Sequence, residues 1–245
     1  MYPGFQVIDV MEEFYGIVET SNVDYLYCLF SGGRDSLVAL HLSKTVCKGI
    51  PLEAVHVDTT VSTPGNLEYV RGVCEALNVK LTIVKPRNDF FTYVEKWGFP
   101  TVTRRWCCYH LKIEPLKDYF SRQSDKSGLI VDGMRREESY RRENFPKLSF
   151  HRHFKRLCYH PIFDWSLKDV LNYISKNNLP VNPLYQKLPR ATECWCTAFK
   201  TVEQFKTLKE SFPELFRKFL EAEGKLKPGR SALFKNGRKI YLRDL

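Results

Sequence analysis

One short segment near the start of the chain combines the side chains and the spacing that could hold a phosphate. SGGRDS at residues 31–36 follows an apolar run of strand type, Leu26–Phe30, and precedes an apolar helical run that begins at Leu37. Glycines allow backbone conformations in which amide N–H groups converge, and a helix N-terminus adds unpaired donors and a positive dipole end. The segment predicts an anion-binding cradle; a plain Gly-Gly turn is the alternative.

Two further polar segments also follow predicted strands. Asp58 and Thr59 come after the run 52–57, where a carboxylate could accept hydrogen bonds from a ribose or an adenine; the alternative is a helix cap. GMRREES at 133–139 follows the run 129–131 and offers a glycine for close backbone approach and arginine forks for phosphate or sulfate. Its alternative is a charged helix start with local Glu–Arg pairs.

Four of the eight cysteines stand in two close groups. Cys107 and Cys108 are adjacent, whereas Cys194 and Cys196 form a C-x-C segment. Adjacent cysteines seldom serve packing alone, and four thiolates could hold an iron–sulfur cluster or zinc. The C-x-C spacing differs from the C-x-x-C spacing that is standard for metal sites. The alternatives are therefore redox-active thiols, or four reduced thiols without metal.

Strands and helices alternate along the chain and must position these segments. Apolar runs predict strands near 24–30, 52–57, 81–84 and 129–131. Helical spacing predicts helices over about 6–20, 35–47, 64–77, 111–121 and 166–176, with two more in 201–222. Such alternation is typical of parallel βαβ units, so we predict an open α/β sheet with helices on both faces. We place a nucleotide-binding domain at 1–180 and a cysteine-bearing, basic C-terminal region at 181–245.

The composition narrows the class of protein. The net charge of +10 favours anionic partners, and residues 134–156 carry eight Lys or Arg against three Glu. Residues 225–245 carry seven Lys or Arg against one Asp, which we interpret as a surface tail or an RNA-binding segment. No apolar run reaches about 18 residues, and the N-terminus lacks the pattern of a signal peptide. We therefore expect no membrane span and a cytoplasmic location.

Taken together, the segments resemble the phosphoadenosine phosphosulfate (PAPS) reductase family, a branch of the PP-loop nucleotide enzymes. The resemblance spans about residues 24–200. It rests on SGGRDS at 31–36, DTT at 58–60, CCYHLKIEPL at 107–116, GMRREESYRR at 133–142, YHPIFDWSLKDVLNYI at 159–174 and NPLY at 182–185. It implies an open, parallel, five-stranded sheet of the adenine nucleotide alpha hydrolase-like type, with a small C-terminal helical region and an adenylyl-type ligand.

The resemblance also implies roles for individual residues. The nucleotide would be held by Ser31, Gly32, Gly33, Arg34, Asp35, Ser36, Asp58, Thr59, Gly133, Arg141 and Arg142. The catalytic set would be Lys112, Arg135, Arg136, Cys107 and Cys108. Lys112 matches the lysine that follows the paired cysteines in cluster-bearing members. Cys107, Cys108, Cys194 and Cys196 would hold a 4Fe-4S cluster or Zn²⁺.

Three departures shape the functional expectation. No cysteine lies beyond Cys196, so the E-C-G-x-H segment of PAPS reductases proper is missing. C-x-C replaces C-x-x-C, and the intact S-G-G-x-D-S resembles ATP-using members. We predict an adenine-nucleotide-dependent enzyme of sulfur metabolism that uses ATP or an adenylyl sulfate, with Mg²⁺ on the phosphates and Asp35 as its candidate ligand. The alternatives are a sulfonucleotide reductase, a tRNA-thiolating enzyme with a sulfur donor protein, and a non-catalytic nucleotide-binding partner with zinc.

Overall fold

The computed structural model describes residues 3–46, 49–124, 127–188, 194–227, 233–235 and 238–245 of the 245-residue chain. The strands are β1 Tyr25–Leu29, β2 Leu52–Val57, β3 Lys80–Val84, β4 Gly128–Val131, β5 Leu148–His151, β6 Arg156–Tyr159, β7 Leu233–Lys235 and β8 Arg238–Ile240. The α-helices are α1 Pro3–Thr20, α2 Arg34–Val46, α3 Asn66–Ala76, α4 Phe90–Trp97, α5 Trp106–Cys108, α6 Glu114–Phe120, α7 Leu167–Lys176, α8 Val202–Ser211 and α9 Pro213–Gly224. A π-helix, Tyr109–Ile113, joins α5 to α6.

Six strands form the main sheet, in the order β3-β2-β1-β4-β6-β5. β1 pairs in parallel with β2 and β4, and β4 pairs in parallel with β6. β5 runs antiparallel to β6 at the edge. The predicted α/β fold is confirmed, but the predicted count of five all-parallel strands is wrong. The additional strand, β5, has four residues, alternates between exposed and half-buried, and follows Pro146, so it gives little apolar signal.

The chain forms two compact units, each made of three segments. The first unit comprises Met1–His56, Glu68–Ile83 and Tyr119–Asn182. Its core includes Phe14 of α1, Leu26 of β1, Leu40 of α2 and Val131 of β4, all fully buried. α2 packs against β1, α1 and α7. The loop that follows β1, residues 30–33, therefore leads into a helix that is packed on several sides.

The second unit comprises Val57–Leu67, Val84–Asp118 and Pro183–Leu245. Its core is rich in aromatic side chains, including Phe90, Trp195 and Phe219. The core also buries Leu233 and Leu242, so the basic segment 225–245 is anchored at these two residues and is not simply a surface tail. The predicted boundary at residue 180 stays a prediction, because compactness alone does not define a domain. No described helix has the length and apolarity needed to cross a membrane.

Candidate nucleotide site and thiol cluster

The segment 31–36 forms a tight loop that leads from β1 into the first turn of α2. Gly32 has a φ of +87°, a conformation that L-residues rarely adopt, and α2 begins two residues later at Arg34. The Ser36 hydroxyl donates to the Gly33 carbonyl at 3.0 Å and lies 3.1 Å from the Ser31 hydroxyl. The loop is thus closed on itself by its own side chains at the N-terminus of α2.

Asn182 braces this loop from a distant part of the first unit. Its side chain is 2% exposed, and its Nδ2 donates to the Gly32 carbonyl at 3.1 Å. Asn182 opens the NPLY segment, whose sequence alone predicts no role for this residue. The only signal was its place in that motif, because nothing local indicates a contact across 150 residues.

The loop after β4 lies against the start of α2. A Cβ at Gly133 would be 2.4 Å from the carbonyl carbon of Asp35 and 2.6 Å from the amide nitrogen of Ser36. Asp132 shapes this loop, since its Oδ1 accepts from the Met134 amide at 2.9 Å and lies 2.7 Å from His160 Nδ1. The close approach predicted for Gly133 is therefore made to the start of α2; a role toward a nucleotide stays a prediction.

Arg135 is buried and tied to the cradle. Its Nε donates to Asp35 Oδ1 at 2.7 Å, and its Nη1 lies 3.1 Å from Glu137 Oε2 and 3.4 Å from the Trp165 carbonyl. The residue is 6% exposed. The local Glu–Arg pair of the alternative interpretation is present, and the same arginine also contacts Asp35 in the loop 31–36. Binding of a phosphate or sulfate by this segment stays a prediction.

The other arginines of this segment lie nearer the surface. Arg136 pairs with Asp164 at 2.7 Å and stacks on Phe163, with Cζ 5.0 Å from the ring centre. It lines a cavity of about 540 Å³. Arg142 pairs with Glu138, and the Arg141 side chain lies outside the described part of the chain. Contact of these arginines with a ligand stays a prediction.

Asp58 and Thr59 belong to the second unit. Asp58 Oδ1 accepts from the Thr60 amide at 2.9 Å, and its Oδ2 lies 3.8 Å from Lys85 Nζ. Thr59 is fully buried and lies 3.4 Å from the Ser62 hydroxyl. Because α3 begins only at Asn66, Asp58 does not cap that helix and instead closes the turn at Thr60, whose φ is +63°. The adenosine role of Asp58 stays a prediction.

The four grouped cysteines contact one another, although 86 residues separate Cys108 from Cys194 in the sequence. Cys107 is hydrogen-bonded to Cys108 and to Cys196, and Cys196 is hydrogen-bonded to Cys194. Cys107 and Cys196 are buried, whereas Cys108 and Cys194 are half-buried. The thiols therefore form a chain with two buried members in the middle and a more accessible one at each end.

The contacts among the thiols raise the pKa of one cysteine and lower the pKa of two others. Hydrogen bonds to Cys108 and Cys196, together with burial, raise the pKa of Cys107. Hydrogen bonds from Cys107 and Cys194, aided by the charge of Lys112, hold the pKa of Cys196 below its usual value. The hydrogen bond from Cys107, with Lys112 and Arg105 nearby, lowers the pKa of Cys108 to about 7. Lys112 follows the paired cysteines and lies in the π-helix. Segments of π-helix are frequent at functional sites.

The fit of a metal to these thiols is incomplete. Four adjacent thiols are the donor set of an iron–sulfur cluster or zinc. Within the described ranges, however, no three or more His, Cys, Asp or Glu side chains are arranged so that they could hold a metal ion. The cluster or zinc at Cys107, Cys108, Cys194 and Cys196 therefore stays a prediction.

The mostly parallel sheet, with a glycine-containing loop at the start of a helix, defines an α/β protein. Residues 25–208 match the phosphoadenosine phosphosulfate reductase domain family. The chain belongs to this family, and the predictions of the family and of an enzyme are confirmed.

Individual relatives agree with this assignment. The chain is 31% identical over 218 residues to an uncharacterised protein of Methanocaldococcus jannaschii, covering 87% of this chain and 51% of that one. It is 32% identical over 162 residues to the adenosine 5'-phosphosulfate reductase of Rhodococcus erythropolis, covering 64% of this chain and 62% of the relative. The chain thus spans only about half to two thirds of these relatives' length.

A solved structure supports the fold. The phosphoadenylyl-sulfate (PAPS) reductase of Candida auris, in its phosphate complex, superposes with a TM-score of 0.56 at 22% identity. The match covers 72% of this chain and 83% of that one.

Proposed function

We propose that this chain is an adenine-nucleotide-dependent enzyme of sulfur metabolism. It binds ATP or an adenylyl sulfate at residues 31–36 and acts at the α-phosphate or at the sulfonucleotide group. The observation that carries the proposal is the closed loop at the start of α2, which Asn182 braces through the Gly32 carbonyl. The similarity to adenosine 5'-phosphosulfate reductases supports a sulfonucleotide as the ligand.

The proposed role of the cradle is electrostatic. The amides at the start of α2 and the positive end of its dipole would stabilise the negative charge of a phosphate. Because these dipoles are fixed by the fold, they need no rearrangement when charge develops at the reacting phosphorus or sulfur. On nucleotide binding, the Ser36 hydroxyl would turn from the Gly33 carbonyl and donate to a phosphate oxygen.

The thiols are the proposed source of sulfur chemistry in the second unit. Cys107 and Cys108 are the proposed catalytic thiols, and the hydrogen bond from Cys107, together with the charge of Lys112, favours the thiolate of Cys108. A metal at the four cysteines, a sulfur donor protein and a tRNA partner stay predictions.

The intact S-G-G-x-D-S segment favours a second candidate, an ATP-using enzyme that splits the nucleotide between its α and β phosphates. The two candidates differ in the nucleotide that the cradle prefers. Calorimetric titration with adenosine 5'-phosphosulfate, PAPS and ATP therefore tests the proposal and separates the candidates.

The same titration of the Ser36→Ala variant tests the position of the site. A hydrogen bond to a charged group contributes about 1.5–3 kcal/mol, so affinity should fall about tenfold or more. Ser43→Ala is the matched control, because Ser43 lies in the same helix and donates to the Ala39 carbonyl. Binding of none of the three nucleotides, or an equal loss of affinity in both variants, would contradict the proposal.

A further inference from the structure

We propose that Arg135 supplies the positive charge beside Asp35 that a bound divalent cation would otherwise supply, so that the cradle holds its nucleotide without Mg²⁺. The inference rests on the proposed function, because it concerns how the same cradle meets a nucleotide. It departs from the sequence-based expectation that Asp35 is a candidate ligand for Mg²⁺.

The geometry of the pair carries the inference. Asp35 lies in the first turn of α2, and its Oδ1 accepts from Arg135 Nε at 2.7 Å. The Arg135 side chain is 7% exposed and that of Asp35 is 25% exposed. Glu137 and the Trp165 carbonyl hold the other end of the guanidinium at 3.1 and 3.4 Å. The positive charge is therefore fixed in place on three sides before any ligand arrives.

Mg²⁺ requires near-ideal octahedral geometry, with oxygen ligands at about 2.0–2.1 Å. A Mg²⁺ ion bound to the remaining oxygen of Asp35 would lie next to a buried guanidinium, which repels it. A buried guanidinium cannot lose its proton, so this repulsion persists at any pH of interest. The residues present at Asp35 thus do not fit a divalent cation.

The neighbouring carboxylates are also engaged within the fold. Asp132 Oδ1 lies 2.7 Å from His160 Nδ1 and accepts from the Met134 amide at 2.9 Å. Glu137 Oε2 accepts from Arg135 and from the Leu167 amide at 3.1 Å. Each of these carboxylates therefore has one oxygen that is already committed to contacts within the fold. Across the described residues, no group of three or more metal-ligating side chains exists.

A specific consequence follows for variants of Arg135. Without the guanidinium, the Asp35 carboxylate would face the phosphates uncompensated and repel them. A divalent cation could then neutralise it. The Arg135→Gln variant should therefore acquire a dependence on Mg²⁺ that the wild-type protein lacks, whereas Arg135→Lys keeps the charge and should not acquire it.

Calorimetric titration of the full chain with adenosine 5'-phosphosulfate and with ATP, in excess EDTA and in excess Mg²⁺, tests this consequence. For the wild-type protein, affinity for the preferred nucleotide should agree within about twofold between the two media. For Arg135→Gln it should fall about tenfold in EDTA and recover in part with Mg²⁺. Arg152→Gln, an exposed arginine in the turn after β5, is the control and should behave as the wild type. Loss of wild-type binding in EDTA would overturn the inference.

A second measurement needs no nucleotide. Electron paramagnetic resonance measures the binding of added Mn²⁺. The wild-type protein and Asp35→Asn should give the same result, because Asp35 binds no Mn²⁺ in the wild type. A Mn²⁺ ion that the wild type binds and Asp35→Asn loses would overturn the inference. If no nucleotide binds in either medium, the proposed function fails, and the Mn²⁺ result then decides the inference by itself.

Discussion

Gly133 lies directly against the backbone of Asp35. A Cβ at this position would approach the Asp35 carbonyl carbon to 2.4 Å and its oxygen to 2.5 Å, distances that real Cβ atoms do not adopt. The atoms on the other side are backbone atoms at the start of α2, so no flexible side chain can move away. The glycine therefore sets how closely the loop after β4 approaches the start of α2.

The Gly133→Ala substitution should displace one of these two segments. Overpacking of this kind costs about 1–3 kcal/mol of stability. Because the displaced atoms belong to the cradle, nucleotide affinity should also fall, by about tenfold for a cost of 1.4 kcal/mol. Urea denaturation measures the free energy of unfolding, and calorimetric titration measures the affinity.

Gly72→Ala is the matched control for this prediction. Gly72 lies in α3 of the same unit, and a Cβ there would meet no atom within 4 Å. Alanine in a helix interior is favoured over glycine by about 1 kcal/mol, so this variant should be at least as stable as the wild type. Unchanged affinity in Gly133→Ala would show that the loop after β4 does not shape the cradle.

The local features of the fold could be predicted from the sequence. The Gly32–Gly33 pair between two apolar runs marked the cradle, and the run 52–57 gave β2 with its observed bounds. Such signals depend only on neighbouring residues. Other elements were not located from the sequence. They include the edge strand β5 and its partner β6, the three-residue strands β7 and β8, and α4, whose start is set by hydrogen bonds from the Phe91 and Thr92 amides to Asp89.

Contacts between distant residues could not be predicted in the same way. Arg135 was expected to meet a ligand, and the structure gives it Asp35, 100 residues away, as a partner. An arginine near a phosphate loop suits either a carboxylate or a phosphate, and its local sequence does not distinguish them. Asn182 was overlooked for a related reason, because its partner is a main-chain carbonyl that any residue carries.

Asn182→Ala should weaken the nucleotide site. The substitution leaves the Gly32 carbonyl without its buried donor, which costs about 1–3 kcal/mol of stability. The loop at Gly32 would then sample other conformations, so the affinity for the nucleotide should fall as well. Urea denaturation and calorimetric titration measure the two effects separately.

Asn177→Ala separates the loss of a hydrogen bond from the loss of the cradle. Asn177 Nδ2 donates to the Tyr173 carbonyl at 2.9 Å, a bond of the same type at the end of α7 in the same unit. This variant should lose stability and keep its affinity. Equal affinities for Asn182→Ala and Asn177→Ala would exclude a specific role of Asn182 at the site.

Glu53 is a buried carboxylate at the centre of a polar network in the first unit. It is 2% exposed and accepts from the hydroxyls of Tyr25 and Tyr119 at 2.9 and 2.5 Å and from Lys80 Nζ at 2.7 Å. Burial alone would raise its pKa. The hydrogen bonds from Lys80, Thr82, Tyr119 and Tyr25 outweigh burial and hold the pKa of Glu53 below its usual range.

The lowered pKa of Glu53 predicts a loss of stability in acid. Its contribution is present above the unfolded-state pKa of about 4.3 and disappears as the pH falls through the lower folded-state value. Glu53→Gln should cost about 1–3 kcal/mol at pH 7 and should show a shallower decline in the free energy of unfolding between about pH 5 and pH 3. Urea denaturation across this range measures the decline. The control is Glu75→Gln, which changes an exposed carboxylate on α3 and should follow the wild-type curve. If the Glu53→Gln curve runs parallel to the wild-type curve, Glu53 does not contribute to the loss of stability in acid.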